Sequence, residues 1–229
     1  KILREIKPKG IIFLGGSVAN FQNGFSSISV PSVLATLVSD ELHFPNLSMV
    51  GVDDRAAAHT AVAHLIAQGH SKIAVLGGPA TSFPSRMRRL GAQDAMEQAG
   101  LIFDDRLYGL SNYDFESAYH AMNSLLARRA EFTALFAMSD VIAFGAIRAL
   151  VSAGFRVPQD VSVIGFDGIT MSRYCVPVMT TIVQPSEQIA LQSIELLINQ
   201  IEHGAPAQTI TLQPELQQGE SVCPCRHPL

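Results

Sequence analysis

The chain has 229 residues, of which 48% are hydrophobic and 16% are charged, so it is long and apolar enough to form one large domain or two smaller ones. Its net charge of −4 argues against nucleic-acid binding by this chain alone, because phosphate backbones require a cationic surface. No apolar run approaches the ~20 residues that span a membrane. The charged N-terminal segment does not fit a signal peptide, so we predict a cytoplasmic protein.

Short, continuous apolar runs predict buried parallel strands, since strands covered by helices on both faces lack the alternation of half-buried strands. Such runs occupy residues 10–15, 32–36, 49–52, 72–77, 134–138, 161–166 and 180–183. Apolar residues recur at helical spacing within residues 58–66, 118–126, 143–151 and 190–201. Gly69, Gly154 and Gly204 are placed to end three of these helices. The alternation of strands and helices predicts a doubly wound α/β fold.

The chain begins with a short amphipathic pattern formed by Ile2, Leu3 and Ile6, which leads directly into the first predicted strand. A Rossmann-like lobe ordinarily starts with a strand that lies centrally in its sheet. We therefore expect the chain to begin inside a lobe, with the first strand and helix of that lobe lying upstream.

Motifs that indicate catalysis or cofactor binding are absent from the sequence. The Gly-Gly-Pro turn at residues 77–79 belongs to neither a dinucleotide-binding motif nor a phosphate loop, and no serine lies in a Gly-x-Ser-x-Gly elbow. His59, His64 and His70 are separated by five and six residues, so they do not share one helix face. We predict no enzyme, no cofactor and no metal site.

The three cysteines are Cys175, Cys223 and Cys225. An odd number of cysteines does not form a disulfide framework, and free thiols suit a reducing compartment. We interpret the Cys223-Pro224-Cys225 segment as an ordinary tail. The alternative is a metal or redox site, although two cysteines do not complete a tetrahedral metal site.

Three polar segments follow predicted strands, at residues 85–91, 138–140 and 165–168. Ligands of open α/β sheets bind at the carboxyl ends of the strands. Arg88 supplies a planar fork of donors and Asp167 supplies two acceptor oxygens, a combination that suits a neutral polyhydroxylated ligand. The alternatives are that Arg88 is a solvated helix residue and that Asp140 and Asp167 are helix N-caps.

Five motifs, taken together, resemble the effector-binding core of the LacI/GalR family of transcriptional regulators. They are the helix-Gly-His segment Ala63–His70 followed by Lys72-Ile73-Ala74, Arg88-x-x-Gly91, Ser139-Asp140-x-x-Ala143-x-Gly145-Ala146, the segment from Gly154 through Val157-Pro158-x-Asp160-Val161-Ser162 to Asp167, and Pro177-Val178-Met179-Thr180-Thr181-Ile182-Val183-Gln184-Pro185. They occur in the family's order across nearly the whole chain. One departure is Gly219, which stands where the family usually has an arginine.

The resemblance implies two Rossmann-like lobes joined by three crossovers, as in type I periplasmic binding proteins. We expect residues 1–78 plus 183–208 in the N-terminal lobe and residues 79–182 plus 209–229 in the C-terminal lobe. It also implies a homodimer that binds operator DNA through a helix-turn-helix headpiece absent from this chain, and acts as a repressor sensing a small sugar-like effector. The segment 172–176 is a candidate dimer contact, which would put Cys175 near the interface.

The resemblance further implies which residues bind the effector. Arg88 and Asp167 are expected to hydrogen-bond it, and Tyr113 stands where the family places a stacking aromatic, the alternative being a core aromatic. The remaining candidates are Ser139, where many relatives have asparagine; Ser82 and Phe83, in the loop before Arg88; Gln184, at a crossover; and Thr36, where relatives often have an acidic or amide side chain.

A second protein class remains open, a periplasmic sugar-binding protein of a transport system, which shares the fold and the pocket chemistry. The sequence fits that class less well, because the Val157-Pro158-x-Asp160 and Thr181-Ile182-x-Gln184 motifs resemble those of regulators. The effector itself stays open: sugars are the first expectation, and purines and nucleosides are bound by relatives.

Overall fold

The computed structural model describes residues 6–226, so Ile2 and Leu3 of the predicted N-terminal helix lie outside the described residues. The strands are β1 (Ile11–Leu14), β2 (Ser32–Ala35), β3 (Leu47–Val52), β4 (Ile73–Gly77), β5 (Tyr108–Leu110), β6 (Ala134–Ala137), β7 (Ser162–Asp167), β8 (Thr180–Val183), β9 (Thr209–Leu212) and β10 (Glu215–Gln217). The α-helices are α1 (Val18–Gly24), α2 (Asp54–Ala67), α3 (Phe83–Gln98), α4 (Phe115–Ala127), α5 (Asp140–Ser152) and α6 (Ser186–His203).

The described residues form two compact units. The first unit contains the residues up to Asp53 together with Pro185–Gln213, and the second contains Asp54–Gln184 together with the residues from Pro214 onward. The chain therefore passes between the units three times, after Asp53, after Gln184 and after Gln213. The α/β class with parallel sheets flanked by helices, predicted from the sequence, is confirmed.

The first unit is built on a four-stranded parallel sheet in the order β1-β2-β3-β9. Helix α6 packs on strands β1, β2, β3 and β9. Buried Val33, Val50, Ile189 and Leu196 belong to the core that this packing creates. The apolar pattern of α6 is therefore what attaches the returning part of the chain to this sheet.

The second unit is built on a six-stranded sheet in the order β10-β8-β7-β6-β4-β5, in which β10 alone among the described strands runs antiparallel to its neighbour. Strands β4 and β6 are buried along their whole length. Helices α2 and α3 pack against each other, as do α4 and α5. The apolar helix faces that the sequence predicts thus meet within one core.

The boundary between the units differs from the sequence expectation. The predicted boundary lies near residue 78, which would leave α2 and β4 in the first unit, whereas the structure divides the chain after Asp53. The reason is strand pairing: β4 pairs with β5 and β6, and none of its partners belongs to the first sheet. Sequence periodicity identifies a strand but does not say which sheet it joins.

Candidate functional site

Arg88 lies on helix α3 in the second unit, and the start of this helix is fixed by its sequence. Ser82 is the N-cap, and its hydroxyl accepts a hydrogen bond from the backbone N–H of Ser85 at 3.4 Å. Pro84 follows in the first turn, where its missing N–H costs nothing. The side chain of Arg88 is only 7% exposed, so the alternative of a solvated helix residue is wrong.

The buried guanidinium of Arg88 has partners from three elements. Its Nε donates to Oδ1 of Asp54 at 2.8 Å, and its Nη1 donates to the carbonyl oxygen of Met138. The same Nη1 lies 3.6 Å from Oδ1 of Asp167. Burial alone would lower the pKa of Arg88, but the charges of Asp54 and Asp167 outweigh it and raise the pKa. Arg88 is therefore a fixed cation at the carboxyl end of the sheet.

Asp54 is a member of this cluster that the sequence analysis did not identify. It is the first residue of α2 and its side chain is 5% exposed. The signal was available, because Asp54 closely follows strand β3, at the kind of position where the carboxyl-end rule places ligand residues. Gly91 explains how α3 comes close to α2, since a Cβ at Gly91 would meet the carbonyl oxygen of Arg55. The Arg88-x-x-Gly91 motif thus supplies the guanidinium through Arg88 and allows the close approach of α2 through Gly91.

Asp167 ends strand β7 and faces Arg88. Its backbone has a φ of 108°, a region that non-glycine residues rarely adopt, and Gly168 follows with a φ of 69°. Oδ1 of Asp167 accepts from Nε2 of Gln184 at 2.7 Å, and the backbone N–H of Gln184 donates to the carbonyl oxygen of Asp167. Burial raises the pKa of Asp167, while Arg88 and the amide of Gln184 oppose that shift. The structure therefore brings Arg88, Asp167 and Gln184 together, and Asp167 caps none of the described helices.

Tyr113 follows strand β5 and has a φ of 60°. Its ring packs so closely on Gly78 that a Cβ there would overlap the ring. Its hydroxyl is buried and has no hydrogen-bond partner among the residues that the structure describes. This hydroxyl makes a small contribution to the raised pKa of Arg88. The ring also packs against the core of the second unit, so a core role and a ligand-stacking role are both compatible with its position.

Ser139 and Asp140 begin helix α5 but have different partners. Ser139 is the N-cap, and its hydroxyl accepts from the backbone N–H of Ile142 at 3.1 Å. Asp140 is fully buried and accepts from Oγ1 of Thr181 at 2.6 Å and from the backbone N–H of Ile169 at 2.9 Å. The N-cap interpretation of Asp140 is therefore wrong, because its carboxylate bonds to other elements rather than to its own helix.

The remaining predicted site residues occupy less central positions. Ser82 serves as the N-cap of α3, and Phe83, the first residue of that helix, is 7% exposed and lies beneath the guanidinium of Arg86. Thr36 follows strand β2 with a φ of 70°. It belongs to the first unit, whereas Arg88 belongs to the second.

The tail cysteines lie at the opposite, amino end of the second sheet. Nε2 of His70 lies 3.1 Å from the carbonyl oxygen of Cys223, and the backbone N–H of Cys225 donates to the carbonyl oxygen of Gln68. All three cysteines are free. Within residues 6–226, no group of three or more histidine, cysteine, aspartate or glutamate side chains is arranged to hold a metal ion. The backbone groups of Cys223 and Cys225 thus bind the tail to the amino end of the second sheet.

Known proteins with the same fold identify the family. Residues 62–222 match the model of the periplasmic binding protein-like domain. The chain belongs to this family. Among the residues described here, no helix is both long and apolar enough to cross a membrane.

The relatives of this periplasmic binding protein-like chain are transcriptional regulators. It is 34% identical, over 221 residues, to the HTH-type transcriptional regulator MalR of Clostridium butyricum, a match that covers 96% of this chain and 66% of MalR. The CelR–cellobiose complex, a transcriptional regulator, superimposes with a TM-score of 0.87 at 28% identity, covering 96% of this chain and 67% of CelR. A sugar-binding LacI-family regulator from Escherichia coli, complexed with phosphate, superimposes with a TM-score of 0.81 at 29% identity, covering 97% of this chain and 80% of that protein.

These matches confirm the resemblance to LacI-family regulator cores. The relatives are regulators rather than enzymes or transport proteins. The periplasmic binding protein-like chain spans about two thirds of MalR and about half of another such relative, the repressor CytR of Escherichia coli.

Proposed function

We propose that this chain is the effector-sensing core of a LacI-family repressor, and that Arg88 and Asp167 hold a small, neutral, sugar-like effector. The observation that carries the proposal is the buried charge cluster in which Arg88 faces Asp54 at 2.8 Å and Asp167 at 3.6 Å. Such a cluster at the carboxyl end of a parallel sheet is where α/β proteins bind ligands. Tyr113 adds a ring face of the kind that stacks on the apolar face of a sugar.

The charge balance of the cluster supports a neutral effector. The positive charge of Arg88 is opposed by the negative charges of Asp54 and Asp167. An added phosphate or carboxylate group would therefore have no free positive charge in this cluster to pair with. The side chain of Asp167 is 29% exposed, which leaves part of its carboxylate accessible to a hydroxyl or amino donor. Sugars and nucleosides supply such donors without a net charge.

The proposed mechanism is an equilibrium between two arrangements of the regulator. Effector changes this equilibrium only in so far as it binds one arrangement more tightly than the other. In a homodimer, that change would alter the spacing of two headpieces on the half-sites of an operator. DNA binding is proposed for a whole protein in which this core is joined to such a headpiece. That protein would act in the cytoplasm. Ser82, Phe83, Ser139 and Gln184 complete the part of the proposed effector site that lies in the second unit.

The proposed homodimer contact is the segment that follows strand β7, at residues 172–176. Tyr174 is 80% exposed and Val176 is 94% exposed, so both side chains are accessible to a second copy of the chain. The segment starts beside helix α5, because Ile169 is bonded to Asp140. Helix α5 in turn carries Phe144, which lies 6.3 Å from Phe115 of α4, ring centroid to ring centroid. Exposed apolar side chains of this kind are suited to contact with a second copy of the chain.

The test compares ligands and matched aspartate variants. Cellobiose, D-glucose, glucose 6-phosphate and adenosine are titrated into the wild-type protein and into Asp167→Asn by calorimetry, with thermal shift as a first screen. The control is Asp160→Asn, because Asp160 also pairs with an arginine, at 2.7 Å, but precedes the amino end of β7 rather than ending it. We expect a neutral ligand to bind wild type and the control, and to lose about 1–3 kcal/mol of binding free energy in Asp167→Asn. Equal affinity in Asp167→Asn and Asp160→Asn would show that Asp167 does not bind the ligand.

The transport-protein alternative is tested by assembly. A regulator is expected to be a dimer by sedimentation, whereas a monomer at all protein concentrations, together with tight sugar binding, would favour a sugar-binding protein of a transport system. The regulator is favoured because the relatives that cover most of this chain carry the names of regulators.

A further inference from the structure

A second buried aspartate lies behind the candidate site. Asp140 is fully buried at the start of α5, and its two oxygens have different partners. Oδ1 accepts from Oγ1 of Thr181 on strand β8, and Oδ2 accepts from the backbone N–H of Ile169, two residues after Asp167. The carboxylate therefore joins α5, β8 and the turn that follows β7.

The turn that Asp140 holds has an uncommon backbone. Asp167 and Gly168 both have positive φ, at 108° and 69°. A non-glycine residue keeps such a conformation only where its surroundings fix it. On one side, Gln184 bonds to both the backbone carbonyl and the carboxylate of Asp167. On the other side, the bond from the backbone N–H of Ile169 to Asp140 holds the chain just after Gly168.

Strand β7 also leaves room for Asp140. Gly165 lies in the middle of the strand, and a Cβ built on it would meet Oδ1 of Asp140. The carboxylate thus occupies space that any other residue at position 165 would fill. Burial raises the pKa of Asp140 to about 6, while the bonds from Thr181 and Ile169 oppose the shift.

We propose that Asp140 is a positioning residue for the effector site, fixing Asp167 in its positive-φ conformation beside Arg88 by accepting the backbone N–H of Ile169. This inference rests on the proposed function, because Asp167 is the effector contact there. Asp140 itself is fully buried and acts through Asp167, so its removal should change the turn first and the ligand affinity as a consequence.

The first experiment needs no ligand. Amide hydrogen exchange at Ile169 and Gly168 is measured by NMR in the wild-type protein, Asp140→Ala and Asp140→Asn. We expect at least tenfold faster exchange at Ile169 in Asp140→Ala. In Asp140→Asn we expect near wild-type exchange, because the amide oxygen can accept from Ile169 while its NH₂ donates to Thr181, whose hydroxyl can turn to the carbonyl oxygen of Ile182.

The control for lost stability is Leu150→Ala, which removes another fully buried side chain from the far end of the same helix. It should speed exchange across the second unit without singling out Ile169. The positioning role is wrong if Asp140→Ala and Leu150→Ala change the exchange rate at Ile169 equally. It is also wrong if exchange at Ile169 is as fast in Asp140→Asn as in Asp140→Ala. If Asp140→Ala does not fold, Asp140→Leu takes its place, because leucine is branched at Cγ as asparagine is but has no acceptor for Ile169. Unchanged exchange at Ile169 in that variant overturns the proposal.

The second experiment uses cellobiose and D-glucose as probes. We expect at least tenfold weaker binding in Asp140→Ala and less than threefold weakening in Asp140→Asn and Leu150→Ala. Unaltered binding in Asp140→Ala overturns the inference. If the wild-type protein binds neither sugar, the sugar-sensing proposal is what fails, and the exchange at Ile169 alone decides the role of Asp140.

Discussion

The guanidinium of Arg88 lies over the ring of Phe166, with its Cζ 3.6 Å from the ring centroid. Phe166 is fully buried, so this cation–π contact is shielded from water. The contact places Arg88 between an aromatic face and two carboxylates, an environment that suits the flat guanidinium and not a lysine ammonium. Arg88 is therefore a structural residue as well as a proposed ligand contact, and experiments must separate the two roles.

Replacing Arg88 should destabilise the protein through its partner. In Arg88→Met the carboxylate of Asp54 stays buried without its cation, and breaking such a pair costs about 3–5 kcal/mol. In the double variant Arg88→Met, Asp54→Asn, the orphaned charge is gone, so we expect part of the loss to be recovered. Urea denaturation measures the free energy of unfolding of each variant. Additive losses in the double variant would show that Arg88 and Asp54 are not coupled.

Replacing Tyr113 by phenylalanine should stabilise the protein without ligand. The Tyr113 hydroxyl is buried without a hydrogen-bond partner among the described residues, and such a group costs about 1–3 kcal/mol. Tyr108→Phe is the matched control, because the hydroxyl of Tyr108 is hydrogen-bonded to Ser85. We expect thermal denaturation to give a higher midpoint for the first variant and a lower one for the second. A lower midpoint in Tyr113→Phe would contradict this account.

Alanine at Gly91 should destabilise the protein although alanine favours helices. The added Cβ would meet the carbonyl oxygen of Arg55 and force α2 and α3 apart. Overpacking of this kind costs about 1–3 kcal/mol, which outweighs a gain of about 1 kcal/mol in helix propensity. Gly24→Ala is the control, since a Cβ there has nothing within 4 Å and the residue has a φ of −122°. Chemical denaturation measures the free energy of unfolding of both variants. Equal values would show that α2 and α3 are not in close contact at Gly91.

Titration of Asp140 should make the protein less stable as the pH rises from about 4 to 6. The pKa of this carboxyl is raised from 3.8 to about 6, so the folded chain binds the proton more tightly than the unfolded chain in this window. The free energy of unfolding falls by up to about 3 kcal/mol as the proton is lost. Asp140→Asn lacks this contribution. The stability of the variant relative to wild type should therefore be about 2 kcal/mol greater at pH 7 than at pH 4, measured by urea denaturation. A constant difference would be evidence against the shift.

A charge in the proposed dimer contact should weaken self-association. Val176→Asp would bury a carboxylate if Val176 meets a second copy of the chain, and an unpaired buried charge is strongly unfavourable. We expect at least a tenfold rise in the dimer dissociation constant by analytical ultracentrifugation. Ile102→Asp is the control, because Ile102 is also highly exposed, at 88%, but lies in the loop between α3 and β5. Equal dimerisation by both variants would move the interface elsewhere.

Local pattern was sufficient to predict most of the elements. Gly69, Gly154 and Gly204, predicted to end helices, all have positive φ in the structure, because the steric preference of glycine acts over a few residues. Strands β5, β9 and β10 were not predicted. They are short, and only one residue among them, Gly109, is buried, so they carry no continuous apolar signal.

The candidate site was predictable in part. Arg88 and Asp167 follow strands and carry strong donors and acceptors, so position and chemistry both indicated them. The pairing of Arg88 with Asp54 was not predictable in the same way, because it depends on the approach of α2 to α3. The conformation of Asp167 also depends on partners that are distant in sequence, such as Asp140 and Gln184. Local periodicity contains no information about such contacts.

The last strand of each sheet, β9 or β10, comes late in the sequence, so neither sheet can be completed until late in synthesis. Strand β9 joins the first sheet only after the ribosome has made α6, and β10 joins the edge of the second sheet a few residues later. Strand β3 therefore lacks this neighbour from residue 52 until residue 209 has been made, whereas β8 lacks its neighbour only between residues 183 and 215. Unpaired edges are sites of aggregation, so we expect nascent chains that stall before residue 209 to depend on chaperones far more than the finished protein does.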